Sequence, residues 1–185
     1  MILIVDMNYK QNSLGYEEFV LPIMSIVRKR SDFEVRHFSE LQQQSASGFG
    51  KVILSGTALK DHATLACIEK FEWLKTLQCP VLGVCAGMQT MALVFGSRLH
   101  KHVEIGMKEI LTVKENALFS SKFDAYTLHN FSVKPSPDFE ILAESAGRNL
   151  VEAIKHRDKD MYGVLFHPEV RNAEIIERFL SLNRA

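Results

Sequence analysis

Short apolar runs in the first half of the chain alternate with longer segments whose apolar residues recur at helical spacing. The apolar runs predict strands that are buried on both faces of a sheet. They lie at residues 1–6, 51–56 and 80–85, and a further short strand is expected at residues 33–38. The helical patterns lie at residues 14–30, 63–77 and 88–95. This alternation predicts a parallel sheet with helices on both faces.

The second half of the chain has a different pattern, in which short alternating or apolar runs follow one another. Seven such runs predict strands at residues 98–103, 107–113, 122–128, 131–134, 139–145, 150–154 and 162–166. Turn-forming residues separate several of them, as at 135–138 and 147–149, so antiparallel pairing is expected here. A last amphipathic helix is predicted at residues 173–182.

A cysteine stands where a predicted strand runs straight into a predicted helix. Cys85 lies between Gly83 and Gly87, which is typical of a nucleophile elbow, so its thiol is expected to be presented rather than buried. A helix N-terminus favours a thiolate and offers free N–H groups to an oxyanion. The alternative is that Cys85 is a small apolar residue ending a core strand, as expected for Cys67 and Cys79.

A candidate base follows the last predicted strand. His167 and Glu169 flank a proline in a His-Pro-Glu segment. A histidine paired with a cysteine can take the thiol proton, and a nearby carboxylate can orient the imidazole. Taken singly, His167 could instead cap the strand, and Glu169 could be a solvated acid that opens the last helix.

Composition narrows the class of protein. The chain has 185 residues, 46% of them hydrophobic and 24% charged, as expected for one globular domain spanning residues 1–185. Lys plus Arg and Asp plus Glu both number 22, so no net field is expected to hold nucleic acid or an anionic membrane. Apolar runs fall far short of the ~20 residues that cross a bilayer. Three cysteines without metal-ligand spacing indicate a reducing, cytoplasmic setting and no metal site.

Together, the Gly-x-Cys-x-Gly-x-Gln and His-Pro-Glu segments resemble the signature of the class I glutamine amidotransferase family. That resemblance implies a flavodoxin-like, three-layer αβα fold with a mostly parallel sheet and an antiparallel extension. It also implies hydrolysis of glutamine to glutamate and ammonia through a cysteine thioester. Cys85 would be the nucleophile, His167 the general base and acid, and Glu169 the carboxylate that orients the imidazole.

The resemblance implies substrate-binding roles for five further positions. Gln89 would contact the bound glutamine, and the backbone N–H groups of Gly56 and Ala86 would form the oxyanion hole. The backbone around His129 and Asn130 would hold the α-amino and carboxylate groups of the substrate.

Within the family, the likeness is greatest to the separate amidotransferase subunits of archaeal GMP synthases. Four segments carry it, in the same order along the chain, at residues 87–89, 139–143, 151–156 and 162–164. Such subunits pass ammonia to an ATP-pyrophosphatase subunit that aminates xanthosine monophosphate, so a heterodimer is expected. The chain has no P-loop, so ATP and Mg²⁺ are expected on the partner and no cofactor on this chain. Docking is expected at the carboxyl ends of the strands.

Three other functions stay open from the sequence. The chain could serve anthranilate or aminodeoxychorismate synthesis, or it could be a free γ-glutamyl hydrolase. It could also be a non-catalytic regulatory module. That last alternative is favoured only by the segment Ser55-Gly56-Thr57-Ala58, where the family usually has Ser-Gly-Gly-Pro. The intact set of cysteine, histidine and glutamate favours an enzyme.

Overall fold

A single mixed sheet of nine strands organises the computed structural model, which describes residues 1–42 and 46–182. The strands are β1 Ile2–Asp6, β2 Phe33–His37, β3 Lys51–Leu54, β4 Val81–Val84, β5 Arg98–Thr112, β6 Lys122–Lys134, β7 Phe139–Ser145, β8 Val151–His156 and β9 Met161–Val164. Their order across the sheet is β2-β1-β3-β4-β9-β8-β7-β5-β6. The predicted α/β class, with a parallel first half and an antiparallel second half, is confirmed.

The parallel half contains β2, β1, β3, β4 and β9. All of β1, β4 and β9 is buried, because helices cover both faces of the sheet and leave these strands no polar side. The strands predicted in this half end within two residues of the observed ones. Their carboxyl ends meet at one edge, where Asp6, Ser55 and Cys85 follow β1, β3 and β4.

Helices pack on both faces of the sheet in two separate hydrophobic clusters. A π-helical segment, Tyr16–Val20, leads into α1, Leu21–Val27, and α3 spans Ala173–Ser181. These pack in one cluster, and α2, Ala86–Val94, packs in the other with a long 3₁₀ helix. A one-turn 3₁₀ helix, Phe38–Glu40, follows β2. Among the described residues, no helix combines the length and apolar character needed to cross a membrane.

The helix predicted at residues 63–77 is a 3₁₀ helix, Thr64–Thr76, with a kink at Cys67 where φ is −143° and ψ is 46°. Its apolar residues recur every third position, which matches the three residues per turn of a 3₁₀ helix better than the 3.6 of an α-helix. Two of them, Phe71 and Leu74, are fully buried against α2 and the sheet.

The antiparallel half is built on one long hairpin. The prediction of two strands at 98–103 and 107–113 is wrong, because β5 continues through the intervening residues. A register shift between Lys101 and Glu104 and a positive φ of 102° at Gly106 let β5 bend without leaving the sheet. Likewise, the strands predicted at 122–128 and 131–134 form the single strand β6.

The sheet curls so that its edge strand β6 returns to β9. Three strands separate β6 from β9 in the sheet order, yet the His167 N–H donates to the Tyr126 carbonyl at 2.8 Å. The β5–β6 hairpin therefore forms one wall of the space at the carboxyl ends of β3, β4 and β9.

Candidate active site

Cys85 occupies the corner between β4 and α2 in a strained backbone conformation. Its φ of 45° and ψ of −101° are rare for a residue with a side chain. The Cys85 N–H donates to the Val164 carbonyl at 2.8 Å, and its carbonyl accepts from the Gln89 N–H at 2.9 Å. These bonds tie the corner to β9 and to the first turn of α2. The predicted strand–elbow–helix arrangement is confirmed.

Two glycines allow α2 to approach the sheet this closely. A Cβ on Gly83 would lie 2.7 Å from the backbone of Gly87, and one on Gly87 would lie 2.5 Å from the Leu54 carbonyl oxygen. Any larger residue would push the helix N-terminus away from β3 and β4. The small residues on either side of Cys85 are therefore a packing requirement of the elbow.

The expectation that the Cys85 thiol is presented to solvent is wrong. The residue is only 4% exposed, and its Sγ donates to the Leu128 carbonyl at 3.5 Å. The reason is the curl of the sheet, which brings β6 across the elbow. The thiol faces a covered cleft whose other wall is the loop at residues 57–62.

His167 and Glu169 form a buried pair beside the thiol. The His167 Nδ1–H donates to Glu169 Oε1 at 2.7 Å, and both side chains are fully buried. Burial disfavours the imidazolium, but the Glu169 carboxylate and the Cys85 sulfur outweigh it and raise the pKa of His167 well above its usual value. Nε2 of His167 makes no hydrogen bond of standard geometry, but it lies near enough to the Cys85 sulfur for the two groups to interact. The position of this ring nitrogen near the sulfur and the raised pKa of His167 make it a suitable acceptor for the thiol proton.

The imidazole of His167 is confined by its neighbours. The Phe19 ring lies 5.2 Å away, centroid to centroid, and the Tyr126 ring lies 6.4 Å away. On the β3 side, a Cβ on Gly56 would lie 2.6 Å from Cε1 of His167. Gly56 thus leaves space that the imidazole occupies. Neither Phe19 nor Tyr126 belongs to a sequence motif that would mark it as part of the site.

Asp61, which is not among the predicted site residues, anchors the loop at residues 57–62. Its carboxylate accepts from the Tyr9 N–H at 2.7 Å and from the Ala63 N–H at 3.1 Å. The Asn130 side-chain amide donates to the Leu59 carbonyl at 2.6 Å, which ties the loop to β6. An aspartate just before a predicted helix is a capping signal that could have marked this position.

The predicted substrate-binding residues mostly meet at the cleft. Ala86, Gln89, His129 and Asn130 line it together with Cys85, and Gly56 lies beside it against His167. The Gln89 side-chain amide donates to the Phe131 carbonyl at 3.0 Å. The free volume is about 10 Å³, which leaves room for a single water molecule. This volume is smaller than a ligand of amino-acid size.

The His129 side chain has surroundings that the sequence did not predict. Its Nε2 lies 3.8 Å from Oε2 of Glu104, and burial lowers the pKa of His129 to about 4. Potential metal-ligand atoms of Glu104, His129 and Glu152 all lie within 4.8 Å of one another. The three residues come from β5, β6 and β8, so no local spacing could reveal them.

A larger cavity of about 420 Å³ adjoins the cleft. It opens between the loops that follow β1 and β3, and it shares three residues with the cleft: Ala58, Asp61 and His62.

Comparisons with known proteins identify the family to which the chain belongs. A family profile described as glutamine amidotransferase class-I matches residues 16–182. A protein of Methanosphaera stadtmanae, named as a subunit of glutamine-hydrolyzing GMP synthase, is 36% identical over 77% of this chain and 77% of its own length. A protein of the same name from Methanobrevibacter smithii is 39% identical over 60% of this chain. The chain spans 63% of that second relative's length, less than two thirds of it.

Solved structures share the fold. A candidate GMP synthase subunit from Thermoplasma acidophilum superposes with a TM-score of 0.82 and 22% identity, covering 97% of this chain and 92% of its own. A glutamine amidotransferase from Thermotoga maritima gives a TM-score of 0.71 at 18% identity, covering 97% of this chain and 80% of its own.

The contact between Gly56 and His167 predicts a specific stability loss. In Gly56→Ala, the added methyl group would overlap the imidazole, so we expect the free energy of unfolding to fall by about 1–3 kcal/mol. Chemical denaturation measures this. Gly50→Ala is the matched control, because its Cβ would lie 3.6 Å from its nearest neighbour, the Met1 carbonyl. Equal losses in the two variants would contradict the assignment.

Proposed function

Because the chain belongs to the class I glutamine amidotransferase family, we propose that it hydrolyses the side-chain amide of glutamine to glutamate and ammonia. The observation that carries this proposal is the meeting of Cys85, His167 and Glu169 at the strained elbow. A strained turn held by hydrogen bonds on both sides has a structural cost, which a role in chemistry explains.

In the proposed reaction, His167 Nε2 takes the thiol proton and Cys85 Sγ attacks the amide carbon of glutamine. The C–N bond breaks as His167 gives its proton to the leaving ammonia, which leaves a γ-glutamyl thioester. His167 then activates a water molecule that hydrolyses the thioester. Glu169 holds Nδ1 and stabilises the imidazolium in both steps, consistent with the raised pKa of His167.

Backbone N–H groups would stabilise the oxyanion. The first N–H groups of a helix lack intrahelical partners, so the Ala86 N–H at the start of α2 is a suitable donor. Gly56 would supply the second donor. Gln89 and the backbone around His129 and Asn130 would hold the glutamine, since they line the same cleft as the thiol.

A flavodoxin-like, three-layer description of the fold also belongs to this proposal. The parallel strands in the order β2-β1-β3-β4-β9 support it, because flavodoxin-like sheets place ligands at the carboxyl ends of strands in this order.

The ammonia acceptor is proposed to be a separate ATP-pyrophosphatase subunit that converts xanthosine monophosphate to GMP. The names of the two relatives support this choice. ATP and Mg²⁺ would then bind the partner. The cavity of about 420 Å³ beside the cleft is the proposed docking side, because ammonia must leave the elbow toward the synthetase.

Substitutions in the three proposed catalytic residues should separate their roles. We expect Cys85→Ala to abolish glutamine hydrolysis but to leave the partner's ammonia-dependent synthesis unchanged. His167→Ala should lower kcat by roughly 10²–10⁴-fold, and Glu169→Gln should lower it less, because orientation contributes less than proton transfer. Steady-state ammonia release measures both. Loss of the ammonia-dependent reaction in Cys85→Ala would contradict the division of labour.

The narrow cleft predicts weak activity for the isolated chain. We expect ammonia release from glutamine to rise at least about tenfold when the synthetase partner, ATP, Mg²⁺ and xanthosine monophosphate are added together. The measurement compares the purified chain alone with the complete mixture. A rate of ammonia release that does not change when the partner is added would indicate another synthetase or a free hydrolase. No activity under either condition would indicate a non-catalytic module.

A further inference from the structure

Three buried polar side chains from separate strands meet next to the cleft wall. Glu104 of β5, His129 of β6 and Glu152 of β8 are 2%, 3% and 0% exposed. Their nitrogen and oxygen atoms lie within 4.8 Å of one another. Because β8 and β6 are not neighbours in the sheet, this cluster joins the β5–β6 hairpin to the body of the sheet.

The two carboxyl groups cannot both be ionised at low cost. With both carboxyl groups ionised, no other described residue donates a hydrogen bond to either oxygen of Glu152 or to Oε2 of Glu104. The Glu104 and Glu152 side chains interact with each other. Ionised carboxylates only accept hydrogen bonds, and two negative charges this close in a buried site repel strongly. One proton between them removes the repulsion and converts one acceptor into a donor.

The surroundings indicate which carboxyl group keeps its charge. Oε1 of Glu104 faces the Arg148 guanidinium at 3.2 Å, and Lys108 Nζ and His102 Nε2 at 3.7 Å each. Glu152 is fully buried, and its burial together with the charge of Glu104 raises the pKa of Glu152 to about 9. The proton therefore rests mainly on Glu152 at neutral pH.

His129 does not compete for this proton. Burial lowers the pKa of His129 to about 4, although Glu104 favours its cation, and the nearby His167 adds to the lowering. The neutral imidazole therefore packs against the carboxyl pair without a charge of its own.

We propose that Glu104 and Glu152 share one proton and thereby clamp the β5–β6 hairpin onto β8, with His129 as the link that positions the backbone of residues 128–131 in the cleft. The proposal deepens the proposed function and rests on it. Glu104 and Glu152 are positioning residues, since they act on the cleft through His129.

The segment that the clamp holds is bonded to both other parts of the site. The Leu128 carbonyl accepts from Cys85 Sγ at 3.5 Å, and the Phe131 carbonyl accepts from Gln89 Nε2 at 3.0 Å. A displacement of β6 would therefore shift groups that contact the nucleophile and the proposed substrate. Misplacement by about 1 Å can cost an enzyme up to about 10²-fold in rate.

The shared proton makes stability depend on pH in a defined direction. Between pH 4.5, the usual pKa of a glutamate, and about 9, the folded chain holds a proton on Glu152 that the unfolded chain has lost. The contribution of Glu152 to the free energy of unfolding is therefore lost as the pH rises through that range.

The variant Glu152→Gln tests this dependence, because its side chain keeps a neutral hydrogen-bond donor and does not titrate. From pH 5.5 to 8.5, we expect the wild-type melting temperature to fall roughly 2–5 °C more per pH unit than that of Glu152→Gln.

Glutamine kinetics supply a second readout. We expect Glu152→Ala to raise KM for glutamine by roughly ten- to a hundredfold with a smaller change in kcat, because the cleft backbone shifts while Cys85, His167 and Glu169 remain. Glu152→Gln should recover most of this loss. Glu115→Gln is the matched control, since it makes the same chemical change at an exposed position and should alter neither melting nor KM.

The outcomes separate this proposal from its competitors and from the proposed function. Parallel melting profiles for the wild type and Glu152→Gln would overturn the shared proton. If one equivalent of Zn²⁺ raised the melting temperature of the wild type but not that of Glu152→Gln, the cluster would be a metal site, and the shared proton would be overturned. If the melting profiles of the wild type and Glu152→Gln diverge with pH but the chain hydrolyses no glutamine, the shared proton and the hairpin clamp are supported and the proposed enzymatic function is contradicted. If Glu152→Ala does not fold, the pH dependence of melting in the wild type and Glu152→Gln still tests the shared proton.

Discussion

The close packing of α2 against β3 and β4 is the constraint on which the rest of the site depends. Gly83 and Gly87 remove the side chains that would separate helix from sheet, and the chain must then turn within one residue. Cys85 takes that turn in a strained conformation, held by hydrogen bonds to β9 and to α2. Because the same turn begins α2, the Cys85 thiol and the free N–H groups of the helix lie at one point.

Two buried pairs of ionisable side chains lie close to this elbow. The free-energy cost of burying their charges is offset in opposite ways. His167 and Glu169 have opposite charges, so each stabilises the ionised form of the other. Glu104 and Glu152 have the same charge, so burial and repulsion favour the loss of one charge by protonation. Both pairs sit where the curl of the sheet brings β6 against other strands.

Sequence patterns were sufficient for the local parts of this structure. Buried parallel strands and the elbow at Cys85 depend on neighbouring residues, and their positions were predicted to within a few residues. The second half was harder, because the bulge near Glu104 lets one strand continue where the pattern suggests two. The burial of Cys85 and the cluster around Glu152 depend on the return of β6 across the sheet, which no local pattern encodes.

The free volume of the cleft, about 10 Å³, is smaller than glutamine, so binding of glutamine beside the thiol would require one of the two walls to move. The β6 wall is bonded to the elbow through Leu128 and, under the proposed clamp, is held to β8 as well. The opposite wall, the loop at residues 57–62, borders the cavity of about 420 Å³, and it is tied across that cavity by Asp61 to the exposed Tyr9. A partner bound at this cavity would act directly on the loop. Under the two proposals, β6 would keep the glutamine-binding backbone in place, and the loop would move to admit glutamine.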